Sequence, residues 1–87
     1  MKICFLDNLK IPYTSKDINS VKIRGGEKII INLSRELTKL GNNVIVYNNC
    51  SYDYEIDGIK WSNLKNINTN VVFDLAITNN DINLFNN

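Results

Sequence analysis

The sequence predicts an α/β domain on an open sheet of parallel strands, and three features carry the prediction. Ile3–Leu6 and Val44–Tyr47 are short apolar runs with the composition of buried strands, an amphipathic helix lies between them, and a third apolar run, Leu75–Ile77, follows later. Apolar runs without polar alternation suit strands covered on both faces, the usual state in parallel sheets. A strand, a helix and a second strand form a unit whose crossover is almost always right-handed, which sets the two strands parallel and side by side. The expected architecture is therefore a partial, Rossmann-like open sheet.

Each element follows from its residues. Ile3-Cys4-Phe5-Leu6 ends at Asp7, an acidic residue with no acidic sequence neighbour, which reads as a hydrogen-bonding group at the strand end. Residues 8–24, with Pro12 and several turn-forming polar residues, read as irregular. Gly25-Gly26 then open a helix whose apolar residues at 29, 30, 33, 37 and 40 lie on one face, with Lys28, Asn32, Arg35, Glu36 and Lys39 opposite in solvent. Glu27 in its first turn and Lys39 in its last complement the helix dipole. Gly41 supplies the left-handed residue that commonly ends a helix. The stretch from Tyr52 to Trp61 alternates about Asp57-Gly58, a pair suited to a type I′ turn, and so predicts a β-hairpin with Tyr54, Ile56, Ile59 and Trp61 as its apolar side chains. Residues 62–70 read as a short helix or loop, and residues 71–78 contain the last strand, entered at Asp74. The next helix is expected near the chain end at Asn87. A sheet with a single helix leaves apolar surface uncovered, so the chain reads as the front part of a longer protein, and as a fragment it is expected to self-associate.

Composition narrows the function classes. The chain has 87 residues, one domain at most. Its 44% hydrophobic and 22% charged residues are ordinary for a globular domain. With a net charge of +1 and lysines and arginines scattered, it lacks the basic stripe that phosphate neutralisation requires, which argues against nucleic acid. No apolar run approaches the ~20 residues of a membrane span, and no leader pattern follows Met1, so a cytoplasmic location is expected. Cys4 and Cys50, outside any CxxC pair, are expected to be free thiols. With no histidine in the chain, a catalytic triad or a standard zinc site is unavailable within these residues. Asp53-x-Glu55-x-Asp57-Gly58 opens like a calcium loop, but Leu64 stands where the bidentate glutamate is required, and a strand with one wet face accounts for the same spacing. No metal and no cofactor are expected. The abundance of asparagine, isoleucine and lysine reads as the bias of an AT-rich genome, without functional weight.

The one site-like feature is the turn Arg24-Gly25-Gly26-Glu27. A helix N-terminus presents N–H groups without intrahelical partners and a partial positive charge, and can hold a phosphate or carboxylate. Glycines there let a ligand approach the backbone, and Arg24 adds a charge. The competing reading is that the glycines only turn the chain into the helix. A dinucleotide fingerprint is excluded, because residues 8–24 separate the first strand from Gly25, a third glycine is missing, and the second strand ends at Tyr47-Asn48 without an acidic residue for a ribose.

Three segments together resemble the N-terminal region of family-4 glycosyltransferases of the GT-B architecture: Arg24-Gly25-Gly26-Glu27-Lys28, Asn32-Leu33-Ser34-Arg35-Glu36-Leu37 and Leu40-Gly41-Asn42-Asn43-Val44-Ile45-Val46-Tyr47. Downstream, Glu55–Lys60 is similar to that family's glycine hairpin, and Phe73-Asp74-Leu75-Ala76-Ile77, followed by Asn79-Asn80-Asp81, to its next strand. Two positions depart from the pattern: Arg24 stands where the first glycine often lies, and Asn42 replaces the usual histidine. The resemblance implies a retaining transfer of a sugar from a nucleotide-sugar donor to an acceptor in a cleft between two Rossmann-like domains. It assigns this chain the acceptor side, with Arg24, Gly25, Gly26 and Glu27 as the turn that approaches the donor diphosphate. Catalytic residues are not expected here, since most donor contacts belong to a C-terminal domain. The fragment alone would be inactive. The alternative from another class is a complete, small, non-enzymatic α/β binding or interaction module.

Overall fold

The computed structural model describes residues 1–9, 11–67 and 70–79. Five strands form one sheet: β1 (Lys2–Asp7), β2 (Asn43–Asn48), β3 (Tyr54–Ile56), β4 (Ile59–Asn63) and β5 (Leu75–Asn79). Their spatial order is β3-β4-β2-β1-β5. β1 pairs in parallel with both β2 and β5, β2 pairs in parallel with β4, and only the short β3 is antiparallel, against β4. The fold is α/β and Rossmann-like, as the sequence predicts, with a mixed sheet because the hairpin joins it at one edge. The segment Asn80-Asp81 and the helix anticipated near the chain end fall outside the described residues.

The hairpin turn has the backbone its residues foretell. Asp57 and Gly58 have φ of 54° and 79°, the left-handed values a two-residue turn of this hand needs. Arg35 Nε lies 3.7 Å from Asp57 Oδ2 and ties the turn to the helix above it.

That helix, α1, spans Gly25–Lys39, opening at the glycine pair. It closes as a Schellman motif: Gly41 at φ 92° donates from N–H to Thr38 O at 3.0 Å, and Asn42 N–H to Leu37 O at 3.1 Å. The Asn42 side chain adds a second bond to the same carbonyl, Nδ2 to O 2.9 Å.

The face of α1 is a correction. The sequence pattern turns 29, 30, 33, 37 and 40 inward, whereas the buried stripe is Glu27, Ile30, Ile31 and Ser34, with Leu37 half-buried against it. Ile29 is 64% exposed, and Leu33 and Leu40 also face outward. The reason is polar. Glu27 is drawn under the helix start by two hydrogen bonds, from Arg24 N–H and from the Asn79 amide. At 100° per residue, positions 30, 31 and 34 then follow it inward while 29, 33 and 40 rotate away.

The two faces of the sheet differ. Odd-numbered residues of β1 (Ile3, Phe5) join Val44, Val46, Ile59, Trp61, Ile30, Ile31, Tyr13 and Ile23 in the main core. Even-numbered ones (Cys4, Leu6) join Tyr47 in a smaller cluster, covered by the connection from β4 to β5 through Leu64, Ile67 and Phe73. Among its described residues that connection holds a 3₁₀ turn, Leu64–Asn66. Cys4 and Cys50 are buried and free. Among the described residues no helix is long and apolar enough to cross a membrane.

Candidate functional site at the carboxyl rim

In an open α/β sheet, ligands bind beyond the carboxyl ends of the strands, where neighbouring connections run in opposite directions. Here that point lies between β1 and β5: from β1 the chain moves to β2 on one side, and β5 returns on the other. The chain reaches Gly25 through residues 8–24 after β1 ends, so α1 starts at this rim. Contact confirms it, because a Cβ added to Gly26 would lie 3.3 Å from Asn79 Oδ1 at the end of β5.

The turn lies at this rim, and its four residues divide. Gly25 is exposed, and a Cβ there would meet nothing within 4 Å. Gly26 is half-buried and tight against Asn79. The Arg24 side chain is 72% exposed, with Nε 3.6 Å from Glu27 Oε1. Glu27 itself is buried at 2% exposure, Oε1 accepting from Arg24 N–H at 3.1 Å and Oε2 from Asn79 Nδ2 at 3.3 Å. Its carboxylate shapes the turn from beneath instead of facing the rim. The first intrahelical bond runs from Lys28 N–H to Arg24 O, so the amides of residues 25–27 precede the ladder and have no partner within it.

Beneath the turn lies a polar cluster that no sequence spacing announces. Asp7, fully buried, accepts from Tyr13 O–H at 2.6 Å and Asn79 Nδ2 at 3.1 Å on one oxygen, and from Leu9 N–H at 3.0 Å on the other. Asn79 Nδ2 therefore bridges two buried carboxylates, Asp7 and Glu27. Burial, the hydrogen bond to Asp7 and the charges of Asp7 and Glu27 push the Tyr13 phenol far above the usual tyrosine range. It stays a proton donor. Asp7 lacks acidic neighbours in sequence, yet the fold brings Glu27 to the same amide; the signal that could have found the pair is an aspartate closing β1 and a glutamate at the third position of α1.

Asparagines fix the rest of the rim. Asn48, fully buried at the end of β2, donates to Tyr13 O at 2.7 Å and accepts from Cys50 N–H at 2.8 Å. Asn49 Nδ2 donates to Leu9 O at 2.8 Å, and Asn63, ending β4, donates to Cys50 O at 2.9 Å. Side-chain amides at strand ends supply both a donor and an acceptor to irregular backbone, which would otherwise be left unpaired. A compositional bias set aside as genomic is structural at these positions.

Acidic residues of the hairpin serve the scaffold: Asp53 accepts from Ser62 Oγ at 2.7 Å, Asp57 pairs with Arg35, and Glu55 stands opposite Lys60. Among the described residues no group of three or more His, Cys, Asp or Glu side chains is placed to hold a metal ion. A larger groove, about 380 Å³, opens at the amino ends of the strands over Ile45, Tyr47 and Phe73. It is the thinly covered sheet face and lies away from the switch point. Compared with known proteins, the chain matches no protein-family model, no curated protein and no solved structure.

Proposed function

We propose that this chain forms the N-terminal, acceptor-side part of a cytoplasmic retaining glycosyltransferase, which moves a sugar from a nucleotide-sugar donor to an acceptor once a donor-binding domain completes the cleft. The observation that supports the reading is Gly25, at the open N-terminus of α1, on the carboxyl rim and beside the β1/β5 switch point. A diphosphate could approach the backbone there without meeting a side chain. Arg24, exposed at the same turn, would face its charge.

The chain would contribute position and electrostatics rather than a reacting group. Fixed amides aimed at a leaving diphosphate stabilise the charge that develops on it. Glu27 already places a carboxylate under the same helix end and offsets part of its positive field. The isolated chain is therefore expected to hold a diphosphate only weakly, in the millimolar range, roughly −4 kcal/mol. The thin cover over Ile45, Tyr47 and Phe73 agrees with a domain that works against further structure.

The test is an amide-resolved NMR titration of the chain with pyrophosphate and with uridine diphosphate, wild type beside Gly25→Ala. Saturable shifts at residues 25–28, weakened at least about fivefold in the variant, are expected; the added methyl has room in the fold, so any loss reports on the ligand. Silence of these amides, or equal affinity in the variant, would remove the basis for the reading.

A further inference from the structure

We infer that a second groove on the same rim, about 300 Å³ beyond the end of β2, is a subsite for a saccharide carrying an anionic group. This deepens the acceptor-side reading and rests on it for its role. One wall is Tyr13-Thr14, the other Cys50-Ser51 and Tyr54, with Lys16 at the mouth.

Three observations support it. First, the groove is held in shape before any ligand arrives, because the buried Asn48 amide bonds Tyr13 on one wall and Cys50 on the other, and Asn63 holds Cys50 again. Preorganised walls reduce the ordering cost of binding. Second, Tyr54 lines the groove while partly exposed, its ring set at 90° to that of Tyr52 with centroids 6.4 Å apart. An aromatic face, negative at its centre, receives the C–H groups of a pyranose ring, and the polar residues Thr14 and Ser51 line the same walls. Third, the lining has more positive than negative charge. Lys22 is engaged by Asp17 at 3.3 Å, but the Lys16 ammonium makes no ion pair among the described residues. A phosphate or carboxylate on the sugar would supply its partner. Tyr13 also links the groove to the buried polar cluster under the start of α1: its hydroxyl bonds Asp7, while its backbone carbonyl forms part of the groove's support.

The proposal is tested on the full 87-residue chain by amide-resolved NMR with glucose 6-phosphate, glucuronate, glucose and inorganic phosphate, for wild type, Tyr54→Ala and Lys16→Glu. Both variants alter exposed or half-exposed side chains, so the fold is retained. Saturable shifts at residues 13–16 and 50–54 are expected with one or both charged sugars, at millimolar affinity, and the preferred one identifies the anionic group. Tyr54→Ala should weaken that binding at least about fivefold; Lys16→Glu should do the same for the charged sugars and leave glucose unchanged. Inorganic phosphate binding as tightly as the sugar phosphate, unchanged affinity in Tyr54→Ala, or no saturable shift would overturn the proposal. A chain that responds to pyrophosphate at residues 25–28 but to no sugar keeps the transferase reading and loses this subsite. The reverse result keeps the subsite and removes the transferase reading.

Discussion

The two faces of the sheet are built to different standards. On the α1 side, Trp61, Phe5, Ile31 and Val46 are fully buried, and the core runs without a break to the carboxylates at the rim. On the other side, among the described residues, three buried residues are covered by half-buried ones, and a groove is present. The first face fixes the geometry of the candidate site. The lesson is that a small sheet can position a rim accurately with one well-packed side alone.

Matched truncations break this comparison most directly. Trp61 meets Tyr13 edge to face, with centroids 5.7 Å apart, in the middle of the packed side. Trp61→Ala should cost about 3–5 kcal/mol and lower the melting temperature by at least ~12 °C, because a large apolar volume is lost where neighbours cannot close in. Phe73, stacked edgewise on Tyr47 at 6.5 Å but only half-buried, should cost about half as much on truncation. Equal losses in urea-unfolding experiments would mean that the second face is as well packed as the first.

Tyr13 joins the packed face to the rim, and its prediction sharpens the comparison at their junction. Its hydroxyl donates to a buried carboxylate, so Tyr13→Phe should cost about 1.5–3 kcal/mol near neutral pH. The pH dependence has a definite sign. The fold raises this phenol's pKa and so favours the protonated form; the contribution is complete below the unfolded value, near 10, and is lost as pH rises beyond it. The stability gap between wild type and Tyr13→Phe should therefore narrow between about pH 10 and pH 12. Parallel stability curves across that range would show that burial and Asp7 together do not raise this phenol's pKa.

Much of this fold was legible in the sequence, and the parts that were not share a cause. The strands at 3–6, 44–47 and 75–77, the Asp57-Gly58 hairpin and the helix end at Gly41 each rest on local rules, either apolar runs or residues that tolerate a left-handed backbone. The glycine turn's place at the carboxyl rim was legible too, since a helix following a strand must start there. The rotation of α1 was not, because Ile29 and Leu33 look like core and Glu27 does not. Besides the local Arg24 N–H, the buried carboxylate of Glu27 is satisfied by a partner from β5, Asn79, 52 residues away. The groove beyond β2 was illegible for the same reason: Asn48 bonds Tyr13 across 35 residues, and nothing in the spacing marks that pair.

The smallest expected effect tests how complete the packed face is. Ser34 lies fully buried on the inward stripe of α1, and among the described residues its hydroxyl finds no hydrogen-bond partner; neither does the Trp61 indole N–H. A buried hydroxyl without a partner bears its desolvation cost for no return, and serine is a poorer helix former than alanine. Ser34→Ala should thus stabilise the chain by about 0.5–1 kcal/mol, a gain of a few degrees in melting temperature. A loss of similar size would instead reveal that Ser34 satisfies a polar group, with a buried water as the first structure to seek.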